Sequence, residues 1–172
     1  MATTRTYNDG GTTVSIYNDN IYYGTFVAAA SETIGSVGFH ANSIDYNCDV
    51  KLSIWDSAGT SKLAEASFSV TPNASPAWYT DTLDAPVDLT SSTTYMFCVF
   101  INGSTSPGCV CLGSGAGGNY MARSWASGWP AAITSSGSIS KVGVETISLD
   151  SSLILPITVL GNGIFRGCFR GA

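Results

Sequence analysis

The only histidine of the chain, His40, is the first candidate for catalysis. Hydrolases that activate a serine or cysteine nucleophile use a histidine base, which a carboxylate orients. His40 follows Val37-Gly38-Phe39 in a run typical of a strand, and no G-x-S-x-G nucleophile motif accompanies it. The twelve acidic residues lie mostly at turn-like positions, and nothing in the sequence pairs two of them as a glycosidase requires. The sequence therefore predicts a protein that is not an enzyme.

Cysteines, loop carboxylates and glycines offer further kinds of site. Cys109 and Cys111 form a C-x-C pair, but a zinc site needs two more ligands and His40 is remote in sequence. No loop matches an EF-hand, although loop carboxylates could still hold calcium. The glycine-rich run at 113–118 lacks the Lys-Ser/Thr ending and the following helix of a phosphate-binding loop. We predict no cofactor and no metal site, with calcium as the alternative.

Three aromatic residues, Tyr120, Trp125 and Trp129, lie in a loop-rich region and are the remaining candidates for a binding site. Their flat apolar rings could stack on sugar rings, with polar neighbours for the hydroxyl groups. The same residue types cap the end of a core or anchor a contact between subunits. Both interpretations, a structural or interface role and a sugar-contacting role, stay open. Trp55 and Trp78 lie in a patterned region and are predicted to be packing residues.

The elements that position these side chains are predicted to be strands. Glutamine is absent, charged helix formers are scarce, and small, β-branched and aromatic residues dominate. Apolar and polar residues alternate from Cys48 to Trp55, as in a strand with one buried face. The run from Thr94 to Ile101 is apolar on both faces and predicts a central strand covered on both sides. We predict an all-β fold, an antiparallel jelly-roll-like β-sandwich of about ten strands with almost no helix.

The chain of 172 residues has the length of one domain. Residues 1–20 are polar, contain the turn Asn8-Asp9-Gly10-Gly11, and are predicted to form an N-terminal arm or a first hairpin. Residues 21–152 are predicted to form the sandwich, with a loop-rich insertion at 103–138 in which Gly, Ser and Pro dominate. Residues 153–172 form an apolar segment that must be buried, either in its own sheet or against a neighbour.

Charge is scarce on this chain. Charged residues make up 11% of the sequence, against about 25% in an average soluble domain. A free monomer would have little charge to keep it dispersed, so we predict that neighbouring copies cover much of the surface in a homo-oligomer such as a trimer. A net charge of −5 without any Lys/Arg cluster argues against nucleic acid and membrane surfaces as partners. The first residues lack the apolar stretch of a signal peptide, so we expect no export signal.

Four short features follow one another between residues 34 and 102. They are an I-W-D-x-x-G hairpin at 54–59, a strand that begins with Trp78, a P-V-x-L run at 86–89, and a T-x-Y sequence at 93–95. In these features the chain resembles jelly-roll β-sandwich modules of phage virion proteins and of accessory domains in secreted bacterial proteins. The resemblance implies a sandwich fold and no catalytic residue.

These observations favour a structural protein of a virion. We expect a capsid decoration (cement) protein or a minor tail component, made in the host cytoplasm, whose partners are the major capsid or tail protein. Residues 1–20 and 153–169 would dock on neighbouring subunits and so stabilise the particle. The alternative is a carbohydrate-binding module or phage adhesin that binds surface polysaccharide through Tyr120, Trp125 and Trp129.

Overall fold

A computed structural model of the chain describes residues 1–103 and 109–149. Within these two ranges the chain forms twelve strands and one 3-10 turn at Trp125–Ser127. The strands are β1 (Thr4–Tyr7), β2 (Thr12–Ile16), β3 (Asn20–Val27), β4 (Glu32–Ile44), β5 (Cys48–Asp56), β6 (Lys62–Val70), β7 (Ala77–Leu89), β8 (Thr94–Asn102), β9 (Cys109–Gly113), β10 (Ala116–Ala122), β11 (Gly137–Ser140) and β12 (Val144–Ser148). The predicted apolar segment at 153–172 lies outside the described residues.

The strands pair in two antiparallel, six-stranded sheets. The front sheet has the order β1-β12-β4-β9-β2, and β7 pairs with the opposite edge of β4. The back sheet has the order β11-β10-β3-β8-β5-β6. Both sheets contribute side chains to one large buried core. The predicted all-β, antiparallel sandwich is thereby confirmed.

The main core follows the predicted alternation. In β5 the side chains that enter it are those of Cys48, Val50, Leu52 and Ile54. In β8, odd-numbered residues such as Phe97 face this core, whereas Met96, Cys98 and Phe100 face a second buried cluster on the other side of the back sheet. The structure therefore confirms that β8 is a central strand covered on both faces, because its two sets of apolar side chains enter two different cores.

The N-terminal segment differs from the predicted arm or hairpin. β1 pairs with β12 and β2 pairs with β9, so both are strands of the front sheet. β12 and β9 lie one after the other along the same edge of β4. The chain passes from β1 to β2 through a turn in which Asn8 has a φ of 55° and donates its side-chain amide to the Thr25 carbonyl. Asparagine tolerates this left-handed conformation better than most residues.

The predicted insertion at 103–138 is built into both sheets where it is described. β9 belongs to the front sheet, and β10 and the start of β11 belong to the back sheet. Residues 123–136 connect β10 to β11, and we call this segment the cover loop. Ala85 and Pro86 lie in a bulge within β7. Val87 pairs with Ile34 and Thr82 with Ser36, so four residues of β7 lie opposite Gly35 alone.

No helix in the described part of the chain is long and apolar enough to cross a membrane.

Candidate functional site

Trp125 and Trp129 lie on the outer side of the back sheet, where the cover loop crosses it. They pack against a second core made of Ile21, Tyr23, Trp55, Met96, Cys98, Phe100 and Ile133. The ring centroids of Trp125 and Phe100 are 4.9 Å apart, and those of Trp129 and Trp55 are 6.1 Å apart. The second core exists because β8 is apolar on both faces, and the outer face would otherwise be exposed to water.

Hydrogen bonds from Arg123 hold the cover loop in shape, and Lys51 of β5 contacts the Trp125 ring of the loop. Arg123 donates from Nε to the Gly128 carbonyl at 2.9 Å and from Nη2 to the Ser127 carbonyl at 2.9 Å. Lys51 Nζ lies 4.4 Å from the centroid of the Trp125 ring, within the range of a cation–π contact. Phe100 and Lys51 thus both contact the Trp125 ring, which is partly buried.

Tyr120 is not brought together with the two tryptophans. Its neighbour in β10, Met121, packs against the second core, whereas Tyr120 packs against the main core between the sheets. The Tyr120 ring lies 6.1 Å from that of Tyr22. The three aromatic residues singled out in the sequence therefore occupy two opposite faces of the back sheet.

Tyr120 lines a cleft of about 370 Å³ between the edge of the front sheet and the β10–β11 edge of the back sheet. We call it the tyrosine cleft, and its lining residues are Ser15, Tyr17, Asn20, Tyr22, Tyr120 and Ile139. Within it, the Tyr17 backbone N–H donates to the Tyr22 hydroxyl at 3.0 Å. Burial raises the pKa of Tyr22, so this phenol keeps its proton.

The outer side of the front sheet carries a cluster that the sequence did not reveal. His40 Nδ1 lies 2.7 Å from Asp9 Oδ1, and the imidazole stacks on the Trp78 ring with centroids 4.8 Å apart and planes 17° apart. His40 and Trp78 are directly paired between β4 and β7. The sequence treated Trp78 as a packing residue, yet Phe39 and Tyr79, beside them, are the residues that face the main core.

A hydrogen bond crosses β4 next to this cluster. Thr80 Oγ1 donates to Glu145 Oε2 at 2.9 Å, although β7 and β12 lie on opposite sides of β4. Gly38 of β4 lies between the two strands and pairs with both Thr80 and Glu145. A Cβ atom on Gly38 would be only 2.5 Å from Thr80 Oγ1, so the glycine leaves the space that the contact needs.

These features belong to one surface, which we call the open face. Its outward residues include Thr6, His40, Trp78, Thr80, Thr82 and Glu145, on the adjacent strands β1, β12, β4 and β7. Four strands at about 4.8 Å spacing make it on the order of 15 Å wide. The three threonines are exposed, and no described element packs over the face. Its two carboxylate contacts, Asp9 with His40 and Glu145 with Thr80, are internal to the face.

The open face carries an Asp–His pair. An Asp–His pair is two thirds of a hydrolase triad, but among the described residues no hydroxyl or thiol is hydrogen-bonded to the second nitrogen of His40.

Elsewhere, Asp49 accepts a hydrogen bond from the Ser69 hydroxyl and Asp84 accepts one from the Glu65 backbone. In residues 1–103 and 109–149, no three His, Cys, Asp or Glu side chains are grouped as metal ligands.

Cys48, Cys98 and Cys111 are buried. Cys98 lies in the second core, where burial raises the pKa of its thiol and a hydrogen bond with Ser53 partly opposes that shift. Ser53 is itself fully buried and accepts a hydrogen bond from Trp55 Nε1 at 2.8 Å. The neutral thiol therefore acts as a small apolar side chain.

No protein-family model matches the chain, and no curated protein is detectably similar to it. The resemblance to phage and bacterial jelly-roll modules therefore stays a prediction.

Proposed function

We propose that this protein is a non-enzymatic structural component of a virus particle, a capsid decoration protein or a minor tail component. In this proposal it assembles into a symmetric homo-oligomer through the open face and so stabilises the particle. The observation that carries the proposal is the contrast between the two outer surfaces of the sandwich. The protein's own cover loop packs on the outer surface of the back sheet, whereas no described element packs on the outer surface of the front sheet.

The open face has the composition of a contact surface between identical subunits. In a two-fold contact each residue faces the same patch of the partner, so an unpaired charge near the axis meets a like charge. The outward threonines carry no charge, and the Asp9 and Glu145 carboxylates each already have a hydrogen-bond partner. The neutral outward side chains therefore add no charge repulsion to the approach of a second copy, whereas the Glu145 carboxylate keeps its negative charge when it accepts the Thr80 hydrogen bond.

Trp78 supplies the kind of anchor that such a contact needs. Tryptophan is enriched among the residues that carry most of the binding energy at protein interfaces. Here the ring is half-buried and fixed in place, because it stacks on His40, which Asp9 holds in turn. A ring already fixed before association loses little conformational entropy when a partner packs on it.

The overall composition supports the same proposal. A chain with only 11% charged residues and several exposed apolar side chains, including Tyr17, Val27 and Tyr46, is better suited to a crowded assembly than to free solution. The resemblance to jelly-roll modules of phage virion proteins adds the virion as the place of that assembly.

The test is a charge introduced into the open face. Thr82→Lys places an ammonium group on the exposed side of β7, where a two-fold contact would bring two of them together. We expect sedimentation velocity to show a loss of the oligomer in this variant. Ser57→Lys adds the same charge in the exposed β5–β6 turn of the back sheet and should leave the oligomer intact. An oligomer that is unaffected by Thr82→Lys would show that the open face is not the contact.

A further inference from the structure

The tyrosine cleft is a second feature that could bind a ligand, and it does not depend on assembly through the open face. It lies where the two sheets separate, between β2 in front and β3, β10 and β11 behind. Its volume of about 370 Å³ falls within the range of small-molecule sites, roughly 300–1,000 Å³.

The lining of the cleft excludes charged ligands as its natural occupants. None of its six residues carries a carboxylate, ammonium or guanidinium group. A phosphate, a metal ion or a charged peptide side chain would therefore lose water without gaining an opposite charge. Three phenol rings, with Asn20 and Ser15 beside them, instead offer flat apolar surface together with neutral hydrogen-bonding groups.

Two of the rings are held in place before any ligand arrives. Tyr120 packs over Gly137, its directly paired neighbour in β11, where a Cβ atom would lie 2.5 Å from the Tyr120 Cε1 atom. Tyr22 is almost fully buried, and its hydroxyl accepts the Tyr17 N–H, which leaves the phenol proton for another acceptor. Rings that are fixed in advance bind at a lower entropic cost.

Tyr17 is the exposed ring of the cleft. It lies just after β2 and remains 45% exposed, whereas Tyr22 behind it is only 4% exposed. Tyr17 is therefore the lining ring that a ligand at the mouth of the cleft can reach.

We propose that the tyrosine cleft binds a neutral sugar residue of a polysaccharide. A pyranose ring has an apolar face of C–H groups and a rim of uncharged hydroxyl groups, which matches aromatic rings combined with amide and hydroxyl groups. Tyr17 stacks on the sugar, and Tyr22, Asn20 and Tyr120 bind its hydroxyl groups. Of the three aromatic residues that the sequence singled out for sugar contact, only Tyr120 belongs to this site.

The experiment uses the full chain on an array of neutral hexose and N-acetylhexosamine oligosaccharides, together with sialylated and sulfated ones. The proposal predicts binding to members of the neutral set. Calorimetric titration with the bound neutral oligosaccharide should then show that Tyr17→Ala weakens affinity about tenfold or more, as expected for the loss of one stacking ring. Tyr120→Phe keeps the ring and should weaken affinity less.

A matched control separates this site from general surface effects. Tyr46 is 48% exposed, nearly as much as Tyr17, and does not line the cleft, so Tyr46→Ala should bind as the wild type does. The oligomeric state of all variants should be unchanged, which distinguishes failure here from failure of the assembly proposal. The proposal is overturned if the wild type binds no neutral oligosaccharide, if it binds only anionic ones, or if Tyr17→Ala binds with undiminished affinity.

Discussion

At the scale of single residues, Gly38 shows how a missing side chain can organise a surface. The hydrogen bond from Thr80 in β7 to Glu145 in β12 passes over Gly38 in β4, which lies between these strands. A Cβ atom at position 38 would obstruct this hydrogen bond. Glycine normally weakens a strand interior, so a glycine there often marks a close approach of other groups. Here the approaching groups are two side chains of the open face.

Replacement of this glycine gives a direct test. In Gly38→Ala the new methyl group lies 2.5 Å from Thr80 Oγ1 and 3.0 Å from the Tyr79 carbonyl oxygen, so neighbouring atoms must move. We expect the free energy of unfolding in urea to fall by about 1–3 kcal/mol. Gly11→Ala, which meets no atom within 4 Å, should leave stability nearly unchanged. Equal stability of the two variants would contradict this account of Gly38.

The thiol of Cys98 predicts a dependence on pH. Burial raises its pKa above the ordinary value of 9.0, so the folded protein keeps a proton that the unfolded chain releases. This contribution to stability is fully present below pH 9 and is lost as the pH rises above it. Urea unfolding at about pH 7 and pH 10 should therefore show a smaller alkaline loss of stability in Cys98→Ala than in the wild type. An identical loss in both would exclude Cys98 as a contributor.

At the scale of elements, the strands with strong alternation were the predictable part. β5 and β6 alternate apolar and polar residues over most of their length, and β8 is apolar on both faces, so local pattern alone defines them. The pairings of β1 and β2 were not predictable, because Thr4 pairs with Ile147, far along the chain. No local pattern encodes such a partner, and a polar segment with a strong turn signal looks the same whether it is paired or free.

The candidate site was only partly predictable for a related reason. The alternation already places His40 and Trp78 on the outer face, since Phe39 and Tyr79 beside them face the core. Their stacking required the register between β4 and β7, which the sequence does not give. Trp125 and Trp129 were recognised as important, but the second core they cover appears only when the cover loop folds back over β8.

The cover loop leads to a prediction about its tryptophans. Trp129→Ala removes a ring that packs on Trp55 and Phe100, so it should lower the free energy of unfolding by on the order of 3 kcal/mol. Trp78→Ala removes a ring from the open face and should cost clearly less. Guanidinium unfolding of both variants provides the comparison. A Trp129→Ala variant as stable as the wild type would mean that the loop contributes no packing energy.

At the scale of the whole molecule, the two sides of the sandwich differ in what packs on them. The back sheet is covered by the protein's own loop, and its outer surface carries charged residues such as Lys51 and Glu65. The front sheet presents threonines, a fixed tryptophan and carboxylates with partners of their own. Assembly through the front leaves the tyrosine cleft, at the edge between the sheets, accessible to a polysaccharide.

The measurement that tests the central claim most directly is the mass of the purified full chain by light scattering across a dilution series. The account predicts a defined multiple of the 17.9 kDa chain mass, which persists on dilution and is lost in Thr82→Lys. A mass of 17.9 kDa at every concentration would contradict assembly through the open face.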